Sequence, residues 1–461
     1  MEETIANVNP LGTEKIGKLM MRFAIPSIIS LVINSLYNMV DQVFIGQGVG
    51  YLGNAATNVI LPLNTLHMAI MMMIGDGAAA FMSLNLGKDK ADTAARGVGN
   101  AVTLTVGIGV IYAILSLIFL KPLCQLFGAT ENTMPYALEY GKIIAIGYLF
   151  VSIDIAFGSI IRADGRPNTS MIGLLIGCIT NLILDPLFIF VFKWGVAGAA
   201  WATIIGQFLN AVYYIICMFR FKTIRLKKEH LFLKGDLCKR IASMGTSSFI
   251  LQVALVAVMT TMNNVLVKYG AESKYGSDIP MAALGVTMKV SQLVTNVAVG
   301  LASGIQPIYG YNYGSGRFLR VKKLYKWALL DSTLILLIAL AVFQIFPEPI
   351  INLFGQESDL YMEYAVKCFR IYLLGCFMIG ANAVTGVFFQ SIGKSLQSAL
   401  LSLSRQIVFL VPGLIILGHF TGVEGLLWAG PISDILAGVI SLITVFVYWK
   451  SIFFENASEC F

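Results

Sequence analysis

The sequence predicts an all-α polytopic membrane protein, with twelve transmembrane helices in two pseudo-symmetric six-helix lobes around a central cleft. Three observations carry that expectation. Apolar residues make up 57% of the 461-residue chain and charged residues 12%, whereas a soluble domain carries about 25% charged residues. The apolar residues come in long runs, and at about 20 residues per bilayer crossing they suffice for about twelve crossings. The two halves also repeat at a nearly constant offset. This composition excludes a water-soluble globule, a disordered chain and a disulfide-stapled secreted module.

Taken in order, the apolar runs place spans at Arg22 to Ile45, Thr57 to Leu86, Val98 to Leu120, Gly141 to Ile161, Ser170 to Phe190 and Ala197 to Phe219. A second set follows at Met244 to Val267, Ala283 to Tyr309, Lys326 to Phe346, Tyr364 to Phe389, Ser398 to Leu417 and Leu427 to Trp449. The first run follows a stretch that is polar through Lys18. It lacks a short apolar core followed by a cleavage site, so it reads as a mature span rather than a signal peptide. If odd-numbered spans enter from the cytoplasm, 23 of the 32 basic residues fall in cytoplasmic segments, eight of them between Arg220 and Arg240. Four, Lys121, Lys193, Lys268 and Lys274, fall in the opposite loops. Basic loops stay cytoplasmic, so both termini are expected inside and the net charge of +7 has a topological origin. No nucleic-acid partner is implied; the partners expected are the lipid bilayer and a small molecule, with the chain acting as a monomer.

Gly77, Asn85 and Gly87 recur as Gly304, Asn312 and Gly314, each 227 residues later. The turn RADGRP (Arg162 to Pro167) faces QSIGKS (Gln390 to Ser395), with Gly165 and Gly393 228 apart. GVAGAAWA (Gly195 to Ala202) matches GVEGLLWA (Gly422 to Ala429) at five of eight positions. The chain therefore reads as a duplication: a first lobe over 1–219, a cytoplasmic linker over 220–243 and a second lobe over 244–461. With six spans each, the halves enter from the same side and are related by an axis along the membrane normal, an arrangement suited to alternating access.

Little suggests covalent chemistry. The seven cysteines, from Cys124 to Cys460, are scattered without a CxxC pair, and there are three histidines and no HExxH, GxSxG or Walker loop. No disulfide framework, zinc site or cofactor is expected, and the chain is not expected to be an enzyme.

Charged groups deep in spans are functional candidates by default, because each costs roughly 2.5–3.5 kcal/mol on insertion scales. Three acids qualify: Asp41, Asp154 and Asp185. Asn34, Tyr37, Asn38 and Asp41 fall at helical i, i+3, i+4, i+7 spacing and form one polar stripe. Asn181 and Asp185 share a face, and Pro186 frees the carbonyl of Leu182, giving oxygen donors of the kind sodium prefers. Thr203, Gln207 and Asn210 form a third stripe. If two or three of the carboxylates converge, one must hold a proton or the group must trap a cation.

The second half instead offers Lys289 and Arg405, which either bind an anionic group of a substrate or pair with nearby groups and snorkel. His67 either relays protons or is a satisfied hydrogen-bonding residue. Tyr37 and Tyr140 can stack on an organic cation, and the 19 methionines suit a cavity that accepts varied shapes, as they suit any membrane core. Asp76 reads as lining the cavity or as part of a glycine-loosened bend. Asp434, Glu424 and Asp331, near span ends, read as solvated.

The first-span stretch FAIPSIISLVINSLYNMVDQVFIGQGVG, the segment NLGKDKADTAARG, the RADGRP turn and the GVAGAAWA repeat together resemble the multidrug and toxic compound extrusion (MATE) family, in particular its MepA-like bacterial branch. The resemblance spans essentially the whole chain. It implies a secondary antiporter of the cell membrane that expels organic, often cationic, compounds in exchange for sodium ions or protons. It places the coupling site, with Na+ as one possible occupant, at positions matching Asp41, Asn181, Asp185 and Thr203. Asp154 departs from the family pattern, in which asparagine is common here, as at Asn382 of the second half; the extra acid favours protons. The resemblance leaves Asn34, Tyr37, Asn38, His67, Tyr140, Gln207, Lys289 and Arg405 as candidates for the substrate cavity. The nearest rival reading is a lipid-linked saccharide flippase of the same superfamily, which needs a large cationic cavity and often more than twelve spans.

Overall fold

A computed structural model describes residues 9–276, 278–352 and 359–458; Cys460 lies outside them. Among the described residues the secondary structure is helical, with no strand. That follows from the apolar runs: inside a bilayer every backbone N–H and C=O must be satisfied within its own segment.

A short helix, α1 (Pro10–Thr13), is capped by Asn9, whose side chain accepts from the Leu11 N–H at 3.1 Å. Six long helices follow: α2 (Ile16–Gly48), α3 (Tyr51–Gly87), α4 (Ala91–Leu126), α5 (Met134–Ala163), α6 (Pro167–Pro186) and α7 (Gly195–Met218). After Pro186 the chain widens into a π turn, Leu187–Val191, in which the Phe192 N–H reaches back five residues to the Leu187 carbonyl at 2.9 Å. Proline has no N–H to continue the ladder, so a local π adjustment at this point has a direct cause.

The second half comprises α8 (Gly235–Ala271), α9 (Asp278–Gly314), α10 (Phe318–Ile345), α11 (Pro347–Asn352), α12 (Asp359–Tyr372), α13 (Ile379–Ser391), α14 (Ser395–Leu403) and α15 (Val411–Ser458). Three features differ from the plain spans expected. Helix α8 begins at Gly235, within the stretch assigned to the linker, with Asp236 in its first turn, where an acid is favoured by the helix dipole. The expected tenth span is broken between α12 and α13; at the break Gly375 lies against the Pro431 Cα and the Asp434 Cβ, where a side chain would collide. Between α14 and α15 runs a π stretch, Ser404–Leu410.

Among the described residues, eleven helices or continuous helical segments are long and apolar enough to cross a membrane. The last, Ser395–Lys450, is 56 residues long and is interrupted by Gly422, whose φ of 64° and ψ of −150° are not helical. Repeated turns keep the same geometry: Gly165 and Gly393 both have φ of 83°, a left-handed conformation that favours glycine.

Packing divides the chain into two compact units that are not continuous in sequence. One holds the chain through Gln252 together with Ser303–Val321 and Gln390–Ser395; the other holds Val253–Ala302, Lys322–Phe389 and the chain from Leu396 onward. Within the first unit, the repeated glycines make a seam where backbones touch. A Cβ on Gly77 of α3 would meet the Ile241 carbonyl of α8, and one on Gly245 of α8 would meet the Met73 carbonyl of α3. Gly87 and Gly314 face each other across α3 and α9, and Gly304 of α9 abuts Phe23 and Ala24 of α2. The second unit has its own apolar core around Tyr364, Cys368, Phe369, Leu414 and Leu427.

Part of the linker is strapped down within the first unit. Buried Asp164 accepts from the Lys222 and Thr223 N–H groups at 3.1 and 2.9 Å and from Arg166 Nε at 2.7 Å. Asn100 of α4 accepts from the Lys234 N–H at 2.6 Å and donates to the His230 and Phe232 carbonyls at 3.2 Å.

Candidate functional site

Within the first unit α2 packs on α6, and α6 on α7, which lets polar stripes from three helices meet. Asp41 (α2), Asn181 and Asp185 (α6) and Thr203 (α7) are all buried. The Asp41 and Asp185 carboxyls lie near enough to each other to interact electrostatically. The Asn181 amide sits between Asp185 and Thr203. Oriented to satisfy both of its ends, it donates to Asp185 Oδ2 at 2.8 Å and accepts from the Thr203 N–H and hydroxyl at 3.1 Å. Asp41 Oδ1 is enclosed without a hydrogen-bond partner. Among the described residues neither Asp41 nor Asp185 enters an ion pair. Tyr37, one turn before Asp41, and Tyr140 of α5 flank both carboxyls.

Asp154 belongs to a neighbouring group. It faces Asn210 of α7, close to Cys178 and Tyr214, and Asp154 Oδ1 and Asn210 Oδ1 are both enclosed without partners. The α7 stripe therefore divides: Thr203 joins the Asp41–Asp185 group, Asn210 joins Asp154, and Gln207 lies beside Gly147 of α5. Asn34 and Asn38 bond to one another, Asn38 Nδ2 donating to the Asn34 carbonyl at 2.7 Å, and Asn38 is exposed.

His67 is fully enclosed. Its Nε2 lies 2.9 Å from the Ser152 hydroxyl, and its ring packs against Tyr112 and Tyr148 with centroids 4.8 and 4.6 Å away. Its Nδ1 is enclosed without a hydrogen-bond partner, so the ring is bonded through one nitrogen.

In the second unit, Arg405 Nε donates to Asp434 Oδ1 at 2.6 Å, and Asp434 is 4% exposed. The reading of Asp434 as solvated is thus corrected. Arg405 meets a carboxylate rather than helix carbonyls or the interface, because the break at Gly375 lets α15 approach closely enough to bury the pair. Glu424 pairs with Lys367 at 2.5 Å, with both side chains partly exposed. Lys289 is exposed on α9.

Asp76, read from sequence as lining the cavity or sitting at a glycine-loosened bend, makes hydrogen bonds that sequence reasoning did not foresee. It sits inside helix α3 and accepts hydroxyl bonds from Ser159 at 2.9 Å and Ser248 at 2.8 Å. No group of three or more histidine, cysteine or acidic residues suited to a metal ion occurs among the described residues.

Helices long and apolar enough to span a bilayer, repeated along the described residues, define a polytopic membrane protein. The MatE family model matches residues 26–187 and again 249–415, and the chain belongs to that family. The two matched stretches mirror the internal repeat. It is 23% identical over 448 residues to the multidrug export protein MepA of Staphylococcus haemolyticus, covering 96% of each chain. To MepA of Staphylococcus aureus strain MRSA252 it is 23% identical over 436 residues, covering 93% of each. Among solved structures, an outward-facing MATE family transporter of the MOP superfamily superposes with a TM-score of 0.91 at 22% identity, over 98% of this chain and 99% of that one. A MOP superfamily transporter from Pyrococcus furiosus gives 0.89 at 21% identity, over 96% and 98%.

Proposed function

We propose that the protein is a secondary active antiporter of the cell membrane that exports organic, chiefly cationic, compounds in exchange for protons or sodium ions by rocker-type alternating access. The observation that carries this reading is the burial of Asp41 and Asp185 near each other, without a basic partner among the described residues. Two carboxyls from different helices, with an amide and a hydroxyl beside them and one buried oxygen unpartnered, need a proton or a cation between them. Loading that ion changes the charge between α2 and α6, and so biases helix packing. Asp154 and Asn210, with unpartnered oxygens of their own, are a second place for a proton. One charge crossing about 100 mV releases about 2.3 kcal/mol, enough for a roughly fifty-fold concentration ratio at tenfold per 1.4 kcal/mol.

The curated relatives are multidrug exporters, which supports small organic molecules as cargo and transport rather than enzymatic chemistry. The twelve-span architecture in two six-span lobes is part of the proposal. It is supported by the Gly422 interruption in a segment of 56 residues, nearly three times the roughly 20 needed for one crossing. The proposal takes the lobes as 1–219 and 244–461 and, from the distribution of basic residues, places both termini in the cytoplasm. The flippase reading loses support because Asp434 neutralises Arg405, leaving Lys289 to provide positive charge.

Uptake of a fluorescent organic cation into inverted vesicles, driven separately by a pH step and by a sodium step, tests the reading. Asp41→Asn is expected to abolish gradient-driven movement while the protein stays folded. Undiminished uptake in that variant removes Asp41 from the mechanism, and ion leak without substrate in the parent would indicate a channel.

A further inference from the structure

We propose that Asp76 fastens the seam that closes the basic, loop-bearing end of the first unit, so that its hydroxyl bonds break and re-form once per transport cycle. The proposal rests on the alternating-access reading above. From α3, Asp76 Oδ1 accepts from the Ser159 hydroxyl of α5 at 2.9 Å and Oδ2 from the Ser248 hydroxyl of α8 at 2.8 Å. The network continues outward: Gln390 Nε2 of α13 donates to the Ser248 hydroxyl at 3.1 Å, and Gln306 Nε2 of α9 donates to the Asp76 carbonyl at 3.4 Å. Arg162 Nη2 donates to the Ser159 hydroxyl at 2.9 Å, bringing a positive charge to the edge of the network. Ser159, Ser248, Gln306 and Gln390 are all buried. One first-half residue is thereby joined, directly or through one hydroxyl, to three helices of the second half.

The surroundings point to a joint that has to part. Along the rest of the seam, contact is made by glycine backbones: Gly77 against Ile241, Gly245 against Met73, Gly310 against Ser83, Gly314 against Leu84. These contacts are made by backbone or by small side chains, and the polar crossings of the seam are few, among them the Asp76 network, the Gln252 amide on Met72 and, nearer the loops, the Asn312 amide that donates to the Leu11 carbonyl at 2.9 Å. A carboxylate held by hydroxyls and amides can exchange those donors for water at little net cost. Bonds to a charged acceptor are still strong enough to hold the joint when it is shut. A residue serving only helix packing has no need to gather donors from both halves at one point.

Thiol labelling tests this without any transport step. Ser83 is fully enclosed beside Gly310, and Ser83→Cys is nearly isosteric. In vesicles with the basic-loop side outward, a membrane-impermeant maleimide should label that site slowly in the parent background. Labelling should become at least about tenfold faster with Asp76→Ala, the shift expected when a hydrogen bond to a charged group is lost. Asp76→Asn, which keeps one acceptor oxygen, should fall between. Site-resolved peptide masses should show buried Cys124 labelling no faster in any variant. Ser248→Ala, which removes one donor and little volume, gives the second arm if Asp76→Ala misfolds. Unchanged labelling at the Ser83→Cys site in folded Asp76→Ala and Ser248→Ala protein overturns the proposal, as does equal acceleration at Cys124. A parent that labels as expected but moves no substrate sinks the antiport reading and leaves the fastening role standing.

Discussion

The two halves of this duplicated chain treat the acids deep inside their spans in opposite ways. In the first, Asp41 and Asp185 face each other with neutral donors alongside; in the second, Asp434 is covered by Arg405 at 2.6 Å. The positions are related by the repeat, since Arg405 and Asp434 lie 227 residues after Cys178 and Gln207, on the elements that correspond to α6 and α7. An acid with a permanent cationic partner exchanges protons or cations poorly, because removing the partner leaves an uncompensated charge. An acid facing a second acid and an amide has an ion to gain. On the antiport reading, duplication supplied one scaffold, and divergence at a few inward positions left one copy with two facing acids to exchange an ion and the other with a closed pair.

The most severe test of this contrast is Asp185→Asn. Gradient-driven uptake should fall more than about tenfold, equivalent to at least about 1.4 kcal/mol, while the melting temperature in detergent stays close to that of the parent. Asp434→Ala should do the reverse: stability falls by about 3–5 kcal/mol because Arg405 is left buried and unpaired, read as a lower unfolding midpoint. Loss of coupling without loss of stability in Asp434→Ala would break the distinction between the halves. Replacing both partners, Arg405→Met with Asp434→Leu, should restore stability to within about 1 kcal/mol of the parent and keep coupled uptake, since apolar substitutes for a buried pair are often neutral. The smallest effect belongs to Thr203→Val. It removes one hydroxyl bond worth about 1 kcal/mol, so the driving-ion concentration at half-maximal uptake should rise about fivefold.

Much of this contrast is legible in the sequence. Helical spacing marks polar stripes on three helices, and the family resemblance picks Asp41, Asn181, Asp185 and Thr203 out of them; in the structure the Asn181 amide lies between Asp185 and Thr203, with Asp41 near Asp185. Spacing along one helix says nothing about neighbours across helices, which is why Asn210 and Asp154 separate from them and why Asn34 and Asn38 are satisfied by each other. Asp434 was read from its nearness to a span end. The repeat offset sets it at the register of Gln207, well inside the span, and that offset was the stronger signal. For Asp76 no such signal exists: its counterpart 227 residues on is Ser303, and its partners come from four helices that hydropathy treats as independent. The broken tenth span was likewise illegible, because Gly375 matters through Pro431, 56 residues away. The recurring glycines announced the repeat, but their purpose emerges only where the backbones of α3, α8 and α9 touch.

The strap between the halves has a consequence for how the chain tolerates being cut. Asp164 grips it at Lys222 and Thr223, and Asn100 grips it again at His230, Phe232 and Lys234. A nick between those clamps would leave each new end seated where it was. Two separately synthesised fragments ending and starting there should find each other in the membrane, so covalent continuity is dispensable at this one place.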